Sequence, residues 1–204
     1  MDLLNKLFNR RRAAPPIVVV SGLPRSGTSM MMRMLEAGGL PPLTDGLRAP
    51  NDDNPLGYYE FERVKKLPEG DVGWLPEARG HAVKIIAALL PHLPDSATYR
   101  VLFMRRAMSE ILASQRRMLI RRGEDPDAVD DAEMARLFTQ HLGQVFAWMD
   151  ARPNVSYLEV DYNAMVADPT AQVAAITGFL GVELDRAAMV AAVEPGLWRQ
   201  RGGS

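Results

Sequence analysis

Eight residues near the start of the chain, Gly22-Leu-Pro-Arg-Ser-Gly27-Thr28-Ser29, have the makings of an anion cradle. A turn of this kind points backbone N–H groups inward, and the helix that follows adds about half a positive charge at its N-terminus. The nucleoside-triphosphate version of such a turn reads Gly-x4-Gly-Lys-Ser/Thr. Here the glycine spacing fits, but Thr28 stands where the phosphate-binding lysine belongs. Kinases and ATPases use that cation against the charge of the transferring phosphoryl group, so its absence weighs against ordinary phosphoryl transfer. The segment Val101-Leu-Phe-Met-Arg105-Arg106 ends in two cations, where a magnesium site would want an Asp. The loop is therefore expected to hold a phosphate ester less charged than a triphosphate, without a metal. Arg25 adds charge beside it, and the Thr28 and Ser29 hydroxyls add donors. A plain tight turn between strand and helix is the competing explanation of Gly22 and Gly27.

These residues need a scaffold. Ile17-Val-Val-Val20 is a continuous β-branched run suited to a strand buried on both faces, and it feeds the loop directly. A Met- and Leu-rich helix is expected from Thr28 to Leu35, stopped by Gly38-Gly39. Residues 40–57 read as a long Pro/Gly/Asn/Asp loop, of the sort that borders a binding site, and Tyr58 to Leu67 as helical. Further strands are expected at 81–84, 99–104 and 155–160. Helices are expected at 107–122, 130–150, 163–167 and 170–180. Strands alternating with helices imply an α/β fold with a mostly parallel sheet, whose ligands bind at the carboxyl ends of the strands.

Composition narrows the chemistry. The 204 residues suit one domain (17–204) behind a leader (1–16) that closes at Pro15-Pro16. Lys+Arg is 24 and Asp+Glu is 25, so nothing in the overall charge favours nucleic acid as a partner. There is no cysteine, which excludes disulfides, thiolate metal sites and thiol nucleophiles. His81, His92 and His141 lack metal-ligand spacing, so no metal site is expected. No run approaches the roughly 18 apolar residues of a membrane span, and the first residues lack a signal-peptide pattern. A cytoplasmic protein with no integral membrane segment is the expectation.

Three segments, taken in order, resemble the sulfotransferases that use 3′-phosphoadenosine 5′-phosphosulfate (PAPS). Pro24-Arg25-Ser26-Gly27-Thr28-Ser29 is similar to that family's 5′-phosphosulfate loop, with Arg25 at the usual lysine. Tyr99 to Ser114 resembles the 3′-phosphate motif, a strand ending in Arg106 with Ser114 eight residues on. Tyr162-Asn-Ala-Met-Val-Ala-Asp-Pro169 resembles a Tyr-containing stretch after a strand. Lys84, ahead of Leu89-Leu90-Pro91, matches a lysine that is catalytic in the family. The resemblance spans roughly residues 17–181. It implies a P-loop-containing three-layer α/β/α fold and a metal-independent, in-line sulfuryl transfer from PAPS to a hydroxyl or amine, leaving adenosine 3′,5′-bisphosphate.

On that resemblance, residues 24–29 bind the 5′ end of the co-substrate, Arg106 and Ser114 its 3′-phosphate, and Tyr162 its adenine. Lys84 and Arg25 stabilise charge on the leaving oxygen. A lone Arg pair at a helix start faces the positive end of the dipole, so a nearby anion is the better explanation of Arg105 and Arg106 than a solvated pair. Two departures from the family stand out. Ile86 occupies the place of a histidine found in members that modify small alcohols, and Met30 replaces a base-stacking tryptophan. Glu60, in Asn54-Pro-Leu-Gly-Tyr-Tyr-Glu60, is the candidate base, a role that competes with simply opening a helix. Tyr162 as a core residue and Lys84 as a surface lysine are the corresponding plain explanations. Arg199, Arg201 and Gly202-Gly203 faintly resemble a basic glycine loop that closes over the nucleotide. The acceptor, a small molecule or glycan, is not named by residues 40–80, and a partner subunit, such as a second copy in a homodimer, could complete its pocket. A divergent P-loop kinase and a non-catalytic nucleotide-binding module are the alternatives.

Overall fold

In the computed structural model, residues 14–46 and 59–193 are described. Among these residues, four parallel strands form one sheet: β1 (Ile17–Gly22), β2 (Ala82–Lys84), β3 (Tyr99–Arg105) and β4 (Val155–Asp161), in the order β2-β1-β3-β4. The expected mostly parallel sheet is thus parallel throughout its described strands. β1 lies at the centre and all six of its residues are buried, as its unbroken apolar run requires.

Among the described residues, six α-helices accompany the sheet: α1 (Thr28–Ala37), α2 (Met108–Arg122), α3 (Asp131–Asp150), α4 (Tyr162–Ala167), α5 (Pro169–Leu180) and α6 (Arg186–Ala191). On one face, Val18, Val20, Leu102 and Met104 pack against Met31, Met34 and Leu35 of α1 and against Met165, Ile176 and Met189 of α4–α6. The methionines of α1 are core residues, as their clustering suggests. On the other face, Val19, Val101 and Phe103 meet Trp74, Leu90, Val145 and Met149. The result is helix, sheet and helix in three layers.

Two further segments are wound more tightly than an α-helix, the first of them overlapping the span read as helical from Tyr58 to Leu67. Glu62–Glu69 and Ala87–His92 are 3₁₀ helices. Each carries a proline inside it, Pro68 and Pro91, whose missing N–H and fixed φ suit a tight, short coil better than an α-helix. Helices α2 and α3 pair as a hairpin anchored at one end only. The buried residues of α2 are Glu110, Ile111, Leu112 and Ser114, in its first half, and those of α3 are Val145 and Met149, near its end. No helix among the described residues is long and apolar enough to cross a membrane.

Register delivers the strand ends to one rim. Lys84 is opposite Val20, Met104 opposite Gly22, and Asp161 opposite Arg105. The chain leaves β1 toward β2 on one side, while β3 lies on the other, so the carboxyl ends of β1 and β3 bound the crevice where open parallel sheets take ligands.

Candidate active site

The loop between β1 and α1 sits at that crevice. Ser26 N–H donates to the Leu23 carbonyl at 3.2 Å, closing a tight turn. Arg25 has φ 70 and Gly27 φ 102, both left-handed. For a residue with a Cβ this conformation costs about 1–2 kcal/mol, so the loop holds Arg25 in place against local preference. Glycine is demanded by contact as well as by backbone. A Cβ on Gly27 would come within 2.4 Å of the Tyr162 ring, and one on Gly22 within 2.7 Å of the Met104 carbonyl. The first helical bond runs from Met31 N–H to the Gly27 carbonyl at 3.2 Å. The amides ahead of it belong to the helix's first turn, where no intrahelical acceptor exists. Pro24 is exposed, Ser29 half-buried and Thr28 buried. The Ser26 hydroxyl is fully buried with no hydrogen-bond partner among the described residues.

Cations converge on the loop from β3 and α2. Arg25 Nε donates to Ser114 Oγ at 2.8 Å. Arg106 Nη1 donates to the Arg25 carbonyl at 3.2 Å, and its guanidinium lies 4.4 Å from the centre of the Tyr162 ring. The loop and the Arg106–Ser114 segment are thus one contiguous cluster. Burial, chiefly, pushes the Tyr162 phenol above its usual pKa, while the nearby Arg106, Arg33 and Arg25 charges pull the other way.

The anion inferred from the helix-start arginines is supplied within the chain. Arg106 Nε donates to Glu110 at 2.8 Å, and Arg105 Nη1 to Glu159 at 2.8 Å. The dipole argument therefore does not by itself call for a bound phosphate. Glu110 is the residue that sequence reasoning missed. It is 3% exposed and also accepts from Asn163 Nδ2 at 2.9 Å. Its i,i+4 spacing from Arg106 was a visible signal. Asn163, across the fold on α4, gave none.

On the other side of the loop, Lys84 Nζ donates to Ser29 Oγ at 3.3 Å. Glu60 is half-buried, and its carboxylate lies 3.7 Å from Lys65 Nζ. It does not open a helix, because Phe61 is the cap and Glu62 the first residue of the 3₁₀ segment. Its backbone is instead laced to residues 44–45: the Glu60 carbonyl accepts from Thr44 Oγ1 at 2.8 Å and from Asp45 N–H at 3.4 Å. The neighbouring Tyr59 hydroxyl donates to Glu36 of α1 at 2.7 Å, and burial, aided by that carboxylate, pushes the phenol up to about 12. His81 is half-buried with Nδ1 3.3 Å from the Arg79 carbonyl, a structural placement. Residues 1–13, 47–58 and 194–204, which include Asn54–Tyr58 of the Glu60 stretch, Arg199, Arg201 and the terminal glycines, lie outside the described residues.

Beside Leu23 and Arg106 a groove of about 410 Å³ opens between the β3–α2 junction and α3. Met108, Ile111, Leu142 and Phe146 give it apolar walls. Gly143 also lines it, and a Cβ added there would meet nothing within 4 Å. A glycine inside a helix costs about 1 kcal/mol relative to alanine, and packing in this protein does not require one here.

Residues 56–186, more than half of the chain, match the sulfotransferase family, and the chain belongs to it. No curated protein matches the sequence. Among solved structures, the fold is similar to the sulfotransferase domain from the curacin biosynthetic pathway, at 16% identity over 89% of this chain and 79% of that one, with a TM-score of 0.53. It is also similar to a sulfotransferase from Mycobacterium tuberculosis, at 20% identity over 89% of this chain and 72% of that one, with a TM-score of 0.57. At these identities the likeness speaks to the fold.

Proposed function

We propose that the protein transfers a sulfuryl group from PAPS to a hydroxyl or amine of an acceptor. One observation carries the donor assignment: the chain of hydrogen bonds Ser114–Arg25–Arg106, which joins the loop to the β3–α2 segment at the crevice between β1 and β3. A nucleotide phosphorylated at both 5′ and 3′ positions needs two adjacent anion sites, and this cluster fits that need. The buried Ser26 hydroxyl, still lacking a partner among the described residues, is in keeping with an anion in the loop.

When bound, PAPS supplies an activated sulfuryl group, transferred as the acceptor atom bonds to sulfur and the bond from sulfur to the 5′-phosphate oxygen breaks. Backbone amides from Arg25 to Ser29 hold the 5′ end, assisted by the Thr28 and Ser29 hydroxyls. Arg106 and Ser114 hold the 3′-phosphate; the Ser114 oxygen accepts from Arg25 and keeps its own proton to donate. Lys84, steered by Ser29, neutralises the charge that builds on the leaving oxygen, with Arg25 nearby. Tyr162 faces the adenine from beneath Arg106. Glu60 takes the acceptor's proton, and the groove along α3 receives an acceptor with apolar surface.

Calorimetry tests the donor. Adenosine 3′,5′-bisphosphate is expected to bind at least about tenfold more tightly than ADP, a margin of about 1.4 kcal/mol. Equal affinities, or a preference for ADP with magnesium, would replace this reading with the kinase-like one. Release of adenosine 3′,5′-bisphosphate from PAPS in the presence of acceptor mixtures separates an enzyme from a binding module.

A further inference from the structure

We infer that Glu110 is a positioning residue that aims Arg106, and that it thereby sets the protein's preference for a 3′-phosphorylated nucleotide. This inference rests on the PAPS reading above. A guanidinium has two bidentate edges and two faces. In Arg106 the Nε edge is anchored by the Glu110 carboxylate at 2.8 Å, one face is covered by the Tyr162 ring at 4.4 Å, and Nη1 is tied to the Arg25 carbonyl at 3.2 Å. Nη2 has no acceptor among the described residues. Nη2 is therefore the donor left for a ligand.

The carboxylate is itself held. Glu110 Oε1 accepts from Asn163 Nδ2 at 2.9 Å, so the α4 side chain fixes the α2 carboxylate that fixes the β3–α2 arginine. The Arg106 and Glu110 side chains are only 8% and 4% exposed. Away from water, a paired carboxylate aligns its cation strongly, and an unpaired one is costly. An arginine held on three sides loses little freedom when a phosphate arrives, and that preorganisation favours binding of the 3′ group. Glu110 need not touch the nucleotide for this.

The test compares adenosine 3′,5′-bisphosphate with AMP, which lacks the 3′-phosphate, by titration calorimetry on the full chain. In Glu110→Gln the bisphosphate is expected to bind about tenfold more weakly, while AMP changes by less than about twofold. Glu110→Asp should recover part of the loss. Adding Glu110→Gln to Arg106→Ala should weaken the bisphosphate no further, since both act through one guanidinium. Asn163→Ala, which leaves the ion pair in place, should give a smaller loss with the same selectivity, and it serves if Glu110→Gln fails to fold. Equal weakening of both nucleotides, or an unchanged ratio in the Glu110 and Asn163 variants while Arg106→Ala abolishes it, overturns the inference alone. A wild-type protein that does not distinguish the two nucleotides overturns the PAPS reading with it.

Discussion

The two flanks of the loop between β1 and α1 are built differently. Toward β3 and α4, Arg25, Arg106, Glu110, Ser114, Tyr162 and Asn163 hold one another through short bonds and ring contact, largely out of water. Toward β2 the groups proposed to carry the chemistry stand nearer solvent: Lys84 with Ser29, and Glu60 with Lys65. The first flank is organised before any ligand arrives. The second has more room to differ.

The sharpest way to break this contrast is Lys84→Ala. If the open flank carries the chemistry, kcat should fall about 10²–10³-fold, followed as release of adenosine 3′,5′-bisphosphate, with its binding little changed. Gly27→Ala attacks the organised flank instead. The added Cβ must displace the Tyr162 ring and accept φ 102, so urea denaturation should show a loss of about 3 kcal/mol, together with weaker nucleotide binding. Gly143→Leu fills the groove and should raise KM about tenfold for any apolar acceptor. Gly143→Ala, by contrast, should stabilise the protein by about 0.5–1 kcal/mol, because its methyl meets no neighbour.

An effect of similar size lies between the flanks, where Tyr59 ties the Glu60 segment to α1. Folding raises this phenol to about 12, so the folded state keeps a proton that the unfolded chain releases from about pH 10. Its contribution is complete below that pH and is lost as pH climbs toward 12. Tyr99, also raised to about 12 by burial, adds to the same alkaline decline. Tyr59→Phe should remove about 1 kcal/mol at neutral pH and flatten part of that slope in alkaline denaturation curves.

How far the sequence could be read follows the same division. The unbroken run Ile17–Val20, the loop glycines and the Arg106–Ser114 interval are local patterns, and the elements fall where those patterns put them. The prolines inside 62–69 and 87–92 were visible, yet their consequence, 3₁₀ geometry in place of α, depends on how few residues each segment must bury. The Glu110–Asn163 bond spans 53 residues and belongs to tertiary packing alone. Glu60 shows the limit most clearly: its acidic character near a helix start suggested a dipole role, but the chain there is held by Thr44 and Asp45, partners that no spacing rule connects.

Because the four parallel strands end in register, Lys84, the loop, Arg106 and Tyr162 are fastened to four separate rungs of one ladder. A molecule gripping all of them would act as a clasp across the sheet. Its binding energy would then slow the opening of the strands themselves, and the central amides of β1 would report its arrival by slower hydrogen exchange as faithfully as the loop does.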